Sequence, residues 1–132
     1  MIIAIDFDST LSIGGFPGLG QPRMWLIEKA KQWRKDGHKL ILWTCREDVH
    51  VGERACFRPR LYLTEAIEFC RSYGLEFDAV NCSIDELNNK DLKWARKIFA
   101  DVYIDDKSAI FTDDTMKIVV NPMLCVGNLL ND

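Results

Sequence analysis

Two aspartates one residue apart, Asp6 and Asp8, follow the apolar stretch Ile2-Ile3-Ala4-Ile5. Thr44 follows a second stretch, Leu40-Ile41-Leu42-Trp43, and the adjacent pair Asp105-Asp106 follows a third, Val102-Tyr103-Ile104. Taken singly, a D-x-D or a D-D is common and usually marks a solvated turn. Placed each directly after a buried apolar run, with no helix-cap role in view, they point instead to a site. If the three runs are parallel strands of one sheet, all these groups converge on one edge. Four carboxylates there would raise one another's pKa unless a cation neutralises them. Oxygen-only ligands together with a phosphate suit a hard divalent ion, and magnesium is the expected one.

The rest of the chain supplies the elements that must position these residues. Ile2 to Phe7 has the nearly continuous apolar pattern of a strand buried on both faces. Residues 9–22 carry Gly14, Gly15, Pro17, Gly18, Gly20 and Pro22 and must turn repeatedly. From Arg23 to Asp36, Leu26, Ile27, Ala30 and Trp33 fall on one helical stripe, and Gly37 ends it. Lys39 to Thr44 reads as the second strand. Residues 45–60 form a polar, arginine-rich stretch too long for a simple connection. A second helix carries Leu63, Ala66, Ile67 and Cys70 and closes at Gly74; Phe77–Val80 is a weakly marked third strand.

Beyond a turn-rich segment at 81–89, Asp91 to Phe99 has helical spacing and Ala100 to Ile104 reads as the fourth strand. Lys117-Ile118-Val119-Val120 is the expected fifth, stopped by Asn121-Pro122. Strands alternating with helices imply right-handed βαβ units. The expected fold is therefore α/β, a three-layer Rossmann-like arrangement with a mostly parallel central sheet of about five strands and helices on both faces. In such sheets ligands bind beyond the carboxyl ends of the strands.

Asp6-Phe7-Asp8-Ser9-Thr10 after a hydrophobic strand resembles the first motif, D-x-D-x-T, of the haloacid dehalogenase-like (HAD) superfamily. Thr44 resembles its second motif and Asp105-Asp106 its fourth, so the resemblance spans residues 2–106. One detail departs from the family pattern, because Ser9 stands where that family most often has glycine. The third motif, a lysine or arginine, is assigned to Lys97, with Lys93 and Lys107 as rivals.

The resemblance implies that Asp6 is a nucleophile forming an aspartyl-phosphate and that Asp8 is the general acid and base. Thr44 and Lys97 would bind the phosphoryl group, and Thr10 would hold the loop through a hydroxyl-to-backbone bond beside the phosphate. Magnesium would be held by Asp6, the backbone carbonyl of Asp8, Asp105 and Asp106. An acid at position 8 favours phosphatase or phosphotransferase chemistry over dehalogenase or ion-pump chemistry. The loop between Ser9 and Arg23 is too short for the inserted cap domain that usually selects substrates in this family. The chain is expected to be one catalytic domain over residues 1–132 with an open site.

An open site would admit a phosphorylated macromolecule, or a neighbouring subunit in a homo-oligomer would cover it. Arg46, His50, Arg54, Arg58 and Arg60 are candidate contacts to a second anionic group of the substrate, Arg46 foremost. Their alternative is a solvated surface loop. Phe16, Trp25 and Phe57 are candidates to stack a base.

Composition limits the other classes. A 132-residue chain, 48% hydrophobic and 28% charged, supports one hydrophobic core. A net charge of -3 offers no global field for a polyanion, so nucleic acid enters only as a substrate. Five cysteines, at 45, 56, 70, 82 and 125, without C-x-x-C spacing, read as buried reduced thiols. The opening Met-Ile-Ile-Ala-Ile-Asp lacks the pattern of a signal peptide, and no run has the length of a membrane span. A cytoplasmic protein with no membrane partner is expected. Two rival readings remain: a receiver-like signalling module, which would place its phosphoacceptor after the third strand, where Asn81-Cys82-Ser83 stands, and a catalytically silent metal-binding interaction protein.

Overall fold

The computed structural model describes residues 1–49, 60–84 and 98–107, together with the backbone of two strands at 109–112 and 117–120. Strand β1 (Ile2–Ile5) is followed by a single helical turn, Phe7–Leu11, and by helix α1 (Met24–Lys35). Strand β2 (Lys39–Leu42) leads to β3 (Asp48–Val49) and β4 (Arg60–Leu61), and then to helix α2 (Tyr62–Ser72). Strands β5 (Ala79–Val80), β6 (Val102–Ile104), β7 (Ala109–Thr112) and β8 (Lys117–Val120) follow.

The central sheet has the order β5-β2-β1-β6, and every neighbouring pair in it is parallel. Ile5 lies opposite Leu42 on one side and opposite Ile104 on the other. From β1 the chain first builds outward through β2 to β5, then returns to place β6 on the opposite flank of β1. The order therefore reverses between β1 and β6. At such a reversal the connections leave in opposite directions and open a crevice at the carboxyl ends of the two strands.

The apolar alternation explains the two faces. Ile3, Ile5, Leu40, Leu42, Val102 and Ile104 point to one side, where Leu26, Ile27, Ala30 and Trp33 of α1 and Ala66 and Cys70 of α2 complete the main core. Ala4, Ile41 and Ala79 point to the other and pack with Ile98. Both described helices thus cover the same face, rather than one on each.

Both helices end alike. The N–H of Gly37 bonds the Arg34 carbonyl at 3.1 Å and that of His38 bonds Trp33 at 3.0 Å; Gly74 and Leu75 repeat this with Arg71 and Cys70. The two glycines have φ of 98° and 82°, left-handed values that cost glycine little. The start of α2 has no cap of its own. Instead the Asp48 carboxylate accepts the N–H groups of Leu63 and Thr64, each at 3.0 Å, across the chain from β3.

The expected fifth strand exists but lies elsewhere. Residues 117–120 pair antiparallel with 109–112 in a separate two-stranded sheet, Ala109 opposite Val120. Only residues 113–116 separate them, whereas a parallel crossover needs a dozen or more, so the short connection dictates a hairpin. Among the described residues the central sheet therefore has four strands. The 45–60 stretch likewise begins and ends in a ribbon, with Asp48 opposite Leu61 and Val49 opposite Arg60. His50, Arg54, Phe57 and Arg58, Cys56 and Cys125, and all but the end of the helix expected at 91–99 lie outside the described residues. No helix among the described residues is long and apolar enough to cross a membrane.

Candidate active site

Asp6 leaves β1 at the reversal point. Its backbone N–H donates to the Ile104 carbonyl at 2.9 Å, which sets it beside Asp105 at the end of β6. Carboxylate oxygens of Asp6, Asp105 and Asp106 lie within 4.8 Å of one another, and all three residues are half-buried. Burial pushes the Asp6 carboxyl up to about 7; the Phe7 amide opposes the shift, while the charges of Asp105, Asp106 and Asp8 add to it. Asp106 is also raised, by burial and then by its hydrogen bond and repulsion with Asp105, with Lys107 opposing. Lys107 Nζ stands 3.8 Å from Asp106 on a side chain that is 87% exposed, so water screens it strongly. Three oxygen donors whose mutual repulsion is left in place suit a hard divalent cation.

Asp8 takes a different course. The turn swings away from helical geometry at Asp8 and Ser9, and Ser9 adopts φ 60°. That is the left-handed region, where a Cβ costs roughly 1 kcal/mol and where glycine would sit free of strain. So aimed, Asp8 meets Arg46 in a two-pronged pair: Nη2 donates to Oδ1 at 2.7 Å and Nε to Oδ2 at 3.0 Å. The Arg46 side chain is wholly buried. It also donates to the carbonyls of Gly18 at 2.6 Å and Tyr62 at 3.3 Å, and its guanidinium lies 4.8 Å from the Phe7 ring centre and 5.4 Å from that of Phe16. The sequence reading offers Arg46 to the substrate, whereas these contacts are all made within the chain. The Arg46 donors point inward, and freeing them would strand a buried charge.

The loop from Ser12 to Pro22 folds back on itself to bring Gly18 into place. Ser12 and Pro22 form a β-bridge, and the Ile13 N–H bonds the Gln21 carbonyl at 2.8 Å. Gly14 and Gly20 face each other so closely that a Cβ on Gly20 would stand 2.5 Å from the Gly14 nitrogen. No larger residue fits there. Phe16, 58% exposed, packs its ring 4.9 Å from that of Tyr62. Trp25 packs against the main core.

Thr44 follows β2 at the same sheet edge, held from both directions. The Trp43 N–H bonds the Ile5 carbonyl at 2.9 Å, and the Thr44 N–H bonds the Asn81 side-chain oxygen at 2.8 Å. The Thr44 hydroxyl accepts the Arg46 N–H at 3.1 Å. Asn81, with φ 52°, is a supporting residue that motif reasoning missed. Its signal in the sequence is an asparagine ending a strand, where a left-handed backbone favours that residue.

Thr10 departs from expectation. Its residue is fully buried, but among the described residues Oγ1 has no hydrogen-bond partner, so the expected hydroxyl-to-backbone bond is not made. The loop is held instead by Arg23, whose Nε donates to the Thr10 carbonyl at 2.8 Å. Lys97 and Lys93 lie outside the described residues. Of the described cysteines, none bonded to another, Cys70 is buried and its thiol is pushed up to about 12, Cys82 is half-buried, and Cys45 is exposed, against the expectation that it is buried.

Comparison with models of known families and with curated proteins finds no match. A solved structure does match: the conserved protein coded by locus from Bacteroides thetaiotaomicron superposes with a TM-score of 0.63. The two are 37% identical, over 81% of this chain and 76% of that one. With that identity over most of both chains, the protein belongs to the same family as this conserved Bacteroides thetaiotaomicron protein.

Proposed function

We propose that the protein is a HAD-like, magnesium-dependent phosphatase that hydrolyses a phosphate monoester through an aspartyl-phosphate on Asp6. The observation that carries this reading is the meeting of Asp6 with Asp105 and Asp106 within 4.8 Å at the reversal between β1 and β6. A nucleophile and two further oxygen donors at the carboxyl ends of adjacent parallel strands form a cradle for a cation and a phosphate.

In the first step an Asp6 oxygen bonds to phosphorus as the bond to the leaving oxygen breaks, and Asp8 gives that oxygen a proton, releasing the alcohol. In the second step water attacks phosphorus, Asp8 takes its proton, and the Asp6–phosphorus bond breaks. Inorganic phosphate leaves and both carboxyl groups are restored. Asp6, Asp105 and Asp106 would hold magnesium, with the Asp8 backbone carbonyl as a further ligand. Bound there, magnesium supplies charge neutralisation for a carboxylate approaching a phosphate. Thr44, fixed by Asn81, orients a phosphoryl oxygen, and Lys97 balances the phosphate charge. We place the enzyme in the cytoplasm, with no cap inserted between β1 and α1.

The test is hydrolysis of an aryl phosphate with and without magnesium, for wild type and Asp6→Asn. Magnesium-dependent turnover that falls by about 10³-fold or more in Asp6→Asn supports the reading. Turnover that survives the substitution removes Asp6 as the nucleophile. A stable phosphoprotein labelled at another residue would favour a receiver-like module.

A further inference from the structure

Arg46 is buried to 1% exposure, the lowest of any charged residue among those described. Burying a guanidinium is costly unless its donors are met, and here they are met by groups from separated parts of the chain. Asp8 contributes both carboxylate oxygens at 2.7 and 3.0 Å, Gly18 a carbonyl at 2.6 Å from the 12–22 loop, and Tyr62 a carbonyl at 3.3 Å from the start of α2. Phe7 and Phe16 flank the guanidinium, with ring centres 4.8 and 5.4 Å away. The Arg46 backbone N–H reaches the Thr44 hydroxyl at 3.1 Å.

We infer that Arg46 is the positioning residue for the acid and base of the reaction: it holds the Asp8 carboxylate in one place and one plane. The inference rests on the phosphatase reading above and adds to it a residue that touches neither substrate nor metal. Planar two-pronged contact restricts a carboxylate in rotation as well as in distance, which a point charge cannot do. A carboxylate has about four lone-pair directions, so two contacts aim Asp8 without consuming it. The carbonyls of Gly18 and Tyr62 anchor the guanidinium in turn, so the place of Asp8 is set by the closed 12–22 loop and by α2 rather than by its own turn alone. Small misplacements of a reacting group are expensive in rate.

The experiment compares kcat/KM for 4-nitrophenyl phosphate and phenyl phosphate in wild type, Arg46→Lys, Asp8→Asn and the double variant, with a melting curve for each. This parameter reports the step in which the leaving group departs. Nitrophenolate departs with little help from an acid, whereas phenolate needs the proton. If Arg46 positions Asp8, Arg46→Lys loses about 10²-fold on phenyl phosphate and no more than about 10-fold on the nitrophenyl ester. The double variant is then no worse than Asp8→Asn, because the two residues act as a unit.

Equal losses on both esters, or losses that multiply in the double variant, overturn the inference while leaving the phosphatase reading intact. A wild type with no magnesium-dependent turnover of either ester overturns both. Arg46→Gln is read in the same way if Arg46→Lys does not fold, and failure of both to fold assigns Arg46 to the fold alone and overturns the positioning role.

Discussion

Asp6 and Asp8 are the same residue type two positions apart, yet their surroundings treat charge in opposite ways. Asp6 faces Asp105 and Asp106, and burial with like charges pushes its carboxyl up to about 7. Asp8 turns through a left-handed Ser9 onto a buried arginine that meets both its oxygens. One carboxylate sits among like charges, while the other meets a guanidinium supplied by the chain itself. The contrast separates a carboxyl that keeps like-charged neighbours from one that is held in a fixed place. The Asp8–Arg46 pair and the Asp48 cap on α2 tie the loops around the sheet edge to the helices.

Removing one partner from each region tests the contrast most severely. Arg46→Met strands Asp8 in a half-buried place and should cost about 3–5 kcal/mol of unfolding free energy, read from the urea midpoint. Asp105→Asn, which keeps an acceptor for the Lys107 N–H, should cost nothing at pH 8 or stabilise slightly. Equal losses in the two variants would erase the distinction.

The pH dependence follows from Asp6. Its folded pKa of about 7 lies above the ordinary aspartate value of 3.8, so between those values the folded state holds more protons than the unfolded. Stability from this group is therefore present at low pH and lost as pH rises through about 7. With solvent screening, wild type should melt about 3–6 °C lower at pH 8 than at pH 5.5, relative to Asp6→Asn, in paired melting curves. Parallel curves would show that the acidic cluster is not frustrated.

Magnesium should close the same gap. At tenfold its dissociation constant it stabilises by about 1.4 kcal/mol, a shift of a few degrees that Asp106→Asn should diminish and that Arg46→Lys should leave in place. A shift lost equally in both variants would merge the two regions into one site. The smallest expected effect is at Thr10. Replacing its buried hydroxyl, which has no partner among the described residues, by the methyl of Thr10→Val should be neutral or stabilise by about 0.5–1 kcal/mol. A loss above that range would reveal a partner for the hydroxyl.

Much of this is legible in the residues because it is local. A run such as Ile2-Ile3-Ala4-Ile5 must be buried on both faces, so a carboxylate just beyond it lies at the end of a covered strand. The stripe Leu26, Ile27, Ala30 and Trp33 and the stop at Gly37 place α1 to within a residue or two. Sequence patterns mislead where a partner is distant along the chain. The run Lys117-Ile118-Val119-Val120 marks a strand but not its neighbour, and the neighbour at 109–112 makes it half of a hairpin outside the central sheet. Arg46 looks like a surface arginine because its polar neighbours in sequence suggest a loop; nothing near it records that Asp8, 38 positions away, is its partner.

The sequence by itself determined the parallel α/β character of the core and the placing of Asp6, Thr44 and Asp105-Asp106 beyond buried strands, since hydrophobic period and strand termini are properties of short segments. Tertiary structure alone decided the rest. It set β6 beside β1, so that Asp6 and Asp105 meet, put both described helices on one face, and drew Asp8 out of the acidic cluster onto Arg46. The physical reason is that a charge's partner is chosen by the path of the whole chain, which brings together in space groups that the order of residues keeps apart.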